Sequence, residues 1–166
     1  MDLLDTIFSP SFGFSVIRVT TPIIFAALAA LVTNKAGVMN IALEGIMLMS
    51  AFFGTVVSAY TQSAFCGVLV AVLAGVAVAM IMAAFSFRLK ADLILTGIAI
   101  NTFASGATVF LMYVICNDKA STSRLPSCNV PSVEIPVIRD LPVIGEILSG
   151  HNLLTYLAFI SVFIVY

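Results

Sequence analysis

From Gly45 to Phe87 the chain runs for 43 residues without a charged side chain. A single helix of that length would be about 65 Å long at 1.5 Å per residue. The hydrocarbon core of a bilayer is only about 30 Å thick. The run must therefore fold back once, and the polar tripeptide Thr61-Gln62-Ser63 is the natural turn. The same reasoning divides the chain into apolar spans at about 14–32 (carrying Pro22), 38–60, 64–87 and 93–116, with a fifth from Asn152 that is still apolar at Tyr166. The fifth offers about 15 residues where about 20 cross a bilayer. The sequence thus reads as the N-terminal part of a longer protein, with 1–166 in one transmembrane domain. The predicted fold class is all-α: a polytopic transmembrane helix bundle of about five spans, with a proline-containing external segment over 117–150.

Composition removes the soluble alternatives. Hydrophobic residues make up 61% of the chain and charged residues 9%, against about 25% charged in a soluble domain. No basic patch interleaved with aromatics is present, which argues against nucleic acid. No G-x-x-x-x-G-K-[ST] loop occurs, so ATP is not bound in the P-loop manner. The start, Met1-Asp2-Leu3-Leu4-Asp5, lacks the cationic region of a secretory signal. Leu3, Leu4, Ile7 and Phe8 share helical spacing and predict a short interfacial helix ended by Pro10. Lys35 lies between spans one and two, and Arg88 and Lys90 between three and four. Basic short loops mark the cytoplasmic side, so the N-terminus, the 61–63 turn and the 117–150 segment are expected outside.

Lipid supplies no hydrophobic force between helices, so packing there relies on small residues and polar contacts. Gly67, Ala71, Gly75, Ala79 and Ala83 recur every four residues along span three as a helix-packing stripe. Ser50, Gly54 and Ser58 repeat the spacing in span two, and Gly97, Asn101 and Ser105 in span four. Asn101 needs a polar partner or water at that depth. The segment from Asn34 to Gly45 carries the most information. Gly37 permits a backbone bend. Asn40 is an N-cap candidate, and Glu44, one turn on, would meet the positive end of the helix dipole. One reading is an ordinary capped helix near the interface. The other is irregular backbone entering the membrane, which must be buried in protein or line a watery cavity. On the second reading Asn40, Glu44, Gly97, Asn101 and Ser105 are pathway or gating candidates.

Prolines 126, 131, 136 and 142 break any long helix over 117–150, while 141–149 suits a short surface helix. Cys66, Cys116 and Cys128 fit no metal spacing. A Cys116–Cys128 bridge outside the membrane would add roughly 3 kcal/mol; otherwise the three are small apolar fillers. His151 reads as an interfacial residue rather than a ligand.

Thr21-Pro22-Ile23-Ile24-Phe25-Ala26-Ala27-Leu28 and Lys35-Ala36-Gly37-Val38-Met39-Asn40-Ile41-Ala42-Leu43-Glu44-Gly45-Ile46-Met47-Leu48 closely resemble permease subunits of ABC importers. The branch resembled is that of nucleoside and simple-sugar uptake, related to the ribose and branched-chain amino-acid permeases. The likeness continues through Lys90-Ala91-Asp92, Thr96 to Asn101, and Ile135 to Gly145. It implies a bacterial plasma-membrane protein with no bound cofactor, catalytic residue or metal. It also implies a second permease subunit, a cytoplasmic ABC ATPase that uses the ATP, and an extracytoplasmic substrate-binding lipoprotein. In such permeases a cytoplasmic segment after the fifth span docks on the ATPase; the sequence stops before it, so this stretch alone is not expected to couple to ATP hydrolysis. A channel or secondary transporter is the competing class. Such carriers usually bury ionisable groups at mid-membrane, and spans three and four hold none. A non-transporting scaffold is the third reading, for which the small-residue stripes suffice.

Overall fold

The computed structural model describes residues 10–117, 125–132 and 149–165. In chain order it contains α1 (Pro10–Lys35), α2 (Leu43–Thr61), α3 (Ala64–Ala83), a π-turn (Ala84–Arg88), α4 (Leu93–Cys116) and α5 (Leu153–Val165). Four of these stretches are long and apolar enough to cross a membrane, and α5 is a shorter apolar helix. The chain is an all-α, multi-pass membrane protein. The expected N-terminal interfacial helix and the surface helix over 141–149 lie outside the described residues, except for Ser149. Pro10 opens α1, which suits proline because the first helical N–H needs no intrahelical partner.

Helix limits follow from local chemistry. The Asp92 carboxylate accepts from the N–H groups of Ile94 (2.8 Å) and Leu95 (3.0 Å), so α4 starts on a side-chain cap. Gln62 and Asn117 adopt left-handed backbone and stop α2 and α4. α1 ends in a Schellman arrangement around Gly37, whose φ is +78°. The Gly37 N–H donates to Asn34 O (2.9 Å) and the Val38 N–H to Thr33 O (3.0 Å).

The described residues form two compact units. In the first, residues 10–32 pair with residues 130–132 and 149–165. The buried Thr21 and Thr155 hydroxyls lie 3.3 Å apart. His151 is buried and stacks on Phe14 with centroids 4.1 Å apart, and Tyr156 meets it edge-on. An isolated antiparallel bridge joins Ser132 to Asn152. Outward faces carry large apolar side chains such as Val19 and Phe163, the latter 86% exposed, as lipid-facing helices require.

The second unit spans residues 33–129. Here α2 and α3 form a hairpin closed by Gln62 and Ser63. Gly67 sits so close to α2 that an added Cβ would lie 2.7 Å from Ser58 Cβ and 2.9 Å from Gly54 O. Gly54 meets Ala71 in the same way, at 2.9 Å, and Gly75 meets Ser50 Oγ at 2.8 Å. The C-terminal end of α2 also holds the segment around Cys128. Ser58 Oγ accepts from the Cys128 N–H (3.2 Å) and donates to Cys128 O (3.3 Å). Gln62 Nε2 donates to Pro126 O (3.0 Å). These bonds tie Cys128 to α2, whereas Cys116 is buried at the end of α4; all three cysteines are free, and the Cys116–Cys128 bridge is not formed.

Candidate functional site

The hydrophobic pattern predicts that the second span begins at Val38. In the structure α2 begins at Leu43, and residues 36–42 are non-helical. The cause is the sequence around Gly37. Its left-handed conformation turns the chain out of α1, and Asn40 then folds its side chain back so that Oδ1 accepts from the Ala42 N–H (3.0 Å). That Asx-type turn competes with helix. Asn40 therefore shapes the lead-in and is not the N-cap. The N-cap is Ala42, which has no side-chain acceptor to offer.

The missing cap comes from α4. Asn101 Oδ1 accepts from the Gly45 N–H at 2.8 Å. Gly45 is the third residue of α2, the position whose N–H an N-cap side chain normally satisfies. Asn101 Nδ2 donates to Ile41 O at 2.9 Å. One amide thus satisfies an orphan donor of the helix and a carbonyl of the non-helical lead-in. Both would otherwise lack a protein partner within their own segment.

Two glycines make this approach available. A Cβ on Gly45 would lie 2.9 Å from Asn101 Oδ1 and 3.1 Å from Asn101 Cα. A Cβ on Gly97 would lie 2.9 Å from Ile41 Cβ and 3.2 Å from Ala42 N. Gly97 and Gly45 are buried, Asn101 is half-buried, and Ala42 is fully buried.

Ser105 does not share this face; it is exposed. Residues four apart advance about 400° on a helix, so a strict four-residue series drifts around it. The contact face continues instead through buried Ala104 and Thr108, whose hydroxyl reaches Met49 Sδ at 3.5 Å. Spacing of four, three and four residues would have found them. Glu44 lies at the second position of α2, exposed, and no described residue hydrogen-bonds its carboxylate. There it still meets the positive end of the helix dipole.

The stripe on α3 divides. Gly67, Ala71 and Gly75 face α2. Ala79 and Ala83 line a half-open cavity of about 130 Å³ together with Thr33, Val38, Asn40 and Ser86. Ser86 carried no signal in the hydrophobic pattern. It stands inside the π-turn, and its Oγ is buried with no hydrogen-bond partner among the described residues. What the arrangement does is hold a helix end through the paired hydrogen bonds of Asn101.

Comparison with known proteins gives this assembly a context. Residues 13–165 match the family described as the permease component of the branched-chain amino acid transport system. The guanosine ABC transporter permease protein NupQ of Bacillus subtilis is 33% identical over 156 residues, covering 87% of this chain and 48% of its own length. The putative glucose ABC transporter permease protein TsgC13 of Haloferax volcanii is 29% identical, covering 90% and 45% respectively. The nucleoside ABC transporter permease protein NupC of Lactococcus lactis is 28% identical, covering 77% and 41%. The chain thus spans just under half the length of the relatives it matches. No solved structure gives a significant match.

Proposed function

The chain belongs to the family of branched-chain amino acid transport system permease components, and from that premise we propose that it forms part of the transmembrane permease subunit of an ABC importer. The solutes are nucleosides or related sugar-like molecules, the classes named for the three relatives. The match along residues 13–165 is the observation that carries the reading. In this role the chain performs no bond chemistry. ATP is hydrolysed by a separate cytoplasmic ATPase, a second permease subunit completes the pathway, and an extracytoplasmic binding lipoprotein delivers the solute. The protein resides in the bacterial plasma membrane with its N-terminus outside, the orientation that Lys35, Arg88 and Lys90 favour.

The Asn101 clamp gives this role a moving part. Alternating access requires an element with two arrangements. A helix end held by one amide of a neighbouring helix can separate and re-form without disturbing the packed α2–α3 hairpin. The test is uptake of labelled guanosine and of labelled ribose by the complete transporter, reconstituted with its ATPase and binding protein. Saturable, ATP-dependent uptake of one of them supports the reading. Uptake that follows an ion gradient and ignores ATP would place the protein among secondary transporters. An orientation test accompanies it: single cysteines at positions 35 and 89 should label from the cytoplasm and one at position 130 from outside. Labelling of 130 only after permeabilisation would reverse the topology.

A further inference from the structure

The cavity between the lead-in and the end of α3 is unlike the other contacts of the second unit. Several hydroxyls in these helices bond the carbonyl four residues back. Thr20 reaches Val16 O, Thr55 reaches Ala51 O, Thr61 reaches Val57 O and Thr102 reaches Ile98 O, at 2.7–2.9 Å. Ser86 does not, and the reason is local. Residues Ala84–Arg88 form a π-turn, in which the Leu89 N–H bonds Ala84 O five residues back (3.3 Å). The wider turn rotates the side chain away from the carbonyl that an α-helix would offer. The Ser86 Oγ is left buried with no hydrogen-bond partner among the described residues.

Across the same cavity stands Asn40. Its Oδ1 is engaged by the Ala42 N–H, while its Nδ2 makes no hydrogen bond to a described residue. The cavity holds about 130 Å³, room for about four waters at roughly 30 Å³ each. Thr33 also lines it, and its other walls, Val38, Ala79, Met82, Ala83, Phe87 and Leu93, are apolar. We propose that this cavity is an internal water site, in which a small cluster of waters links the Ser86 hydroxyl to the Asn40 amide. The cluster hydrates the non-helical segment 36–42 at Val38 and Asn40, which line the cavity. A lipid chain entering the cavity would satisfy neither polar group, because it carries no donor or acceptor. Water supplies both, and water-lined cavities are where non-helical backbone is tolerated at membrane depth. The joint that Asn101 clamps is therefore wetted at Val38 and Asn40.

The test uses the intact transporter in membrane vesicles, with Cys66, Cys116 and Cys128 replaced by serine. Ser86→Cys and a lipid-facing control, Val76→Cys, are exposed from each side to a small, charged, membrane-impermeant methanethiosulfonate. Such reagents react with the thiolate, which forms where water is present. The Ser86→Cys protein should label at least ~10-fold faster than the Val76→Cys protein, a gap set by the thiolate fraction that each site permits. Equal rates would overturn the water site in favour of a dry or lipid-filled cavity. The second readout is the melting temperature of Ser86→Ala in the native-cysteine background. Loss of a water-bonded hydroxyl should lower it by roughly 2–4 °C. A rise would show that the hydroxyl was unsatisfied in a dry cavity and would equally sink the proposal.

Discussion

α2 touches its two neighbours by opposite means. Against α3 it presents Ser50, Gly54 and Ser58 to Gly67, Ala71 and Gly75, and the backbones approach until a single added Cβ would collide. Against α4 its first turn is gripped by one side chain, Asn101, through two hydrogen bonds of 2.8 and 2.9 Å. The first contact spreads its energy over many small dispersion terms. The second adds to the close approach at Gly45 and Gly97 two directional bonds between otherwise orphaned groups. A spread contact yields gradually and resists motion along its whole length. A pair of directional bonds is made or broken at once. On the proposed reading the hairpin is the fixed body, and the start of α2 is the part that changes state.

The sharpest way to break this contrast is Asn101→Leu. It unpairs the Gly45 N–H and Ile41 O together, at about 1–3 kcal/mol for each buried group. Thermal stability should drop accordingly, and uptake by the complete transporter should fall further than expression does. Unchanged uptake would make Asn101 a tolerated polar residue with no part in the joint. Asn101→Asp sharpens the point, because it keeps the acceptor for Gly45 and loses the donor to Ile41; it should lie between wild type and the leucine variant.

The next largest effect belongs to the hairpin. Gly67→Ala places a methyl 2.7 Å from Ser58 Cβ and 2.9 Å from Gly54 O, and overpacking of this kind costs about 1–3 kcal/mol. It should lower melting temperature while the surviving folded protein transports normally. A loss of uptake at normal stability would show that the hairpin moves too.

Smaller still is Asn40→Ala. Loss of its side-chain hydrogen bond to the Ala42 N–H costs about 1 kcal/mol, read as a modest drop in melting temperature with transport retained. Glu44→Gln is the smallest, about 0.3–1 kcal/mol if the carboxylate only complements the helix dipole. A strong fall in uptake at normal expression would instead make Glu44 part of the moving joint.

The all-α, multi-pass character was legible because lipid imposes it: long charge-free runs, polar punctuation at Thr61-Gln62-Ser63, and basic residues at span ends. The late start of α2 was legible only as one of two readings, because Val38, Met39, Ile41 and Ala42 are as apolar as a helix would be. Only Gly37 and Asn40 hinted at the interruption. The partner of Asn101 was invisible for a different reason: it lies 56 residues away in sequence, and nothing local encodes that. Ser105 was grouped with Gly97 by a spacing of four, which a real helix does not hold over two steps. Ser86 had no signature at all, since a π-turn leaves no periodic mark.

A helix capped by a residue that has not yet been made poses a question of timing. The N–H of Gly45 must wait for Asn101 to be synthesised. At about 5–20 residues per second, those 56 residues take roughly 3–11 s. During that interval the α2–α3 hairpin can already close, because its glycines and serines are complete by Gly75. The start of α2 cannot. It must remain near water or the insertion machinery until α4 arrives, so the order of membrane insertion is written into a single amide.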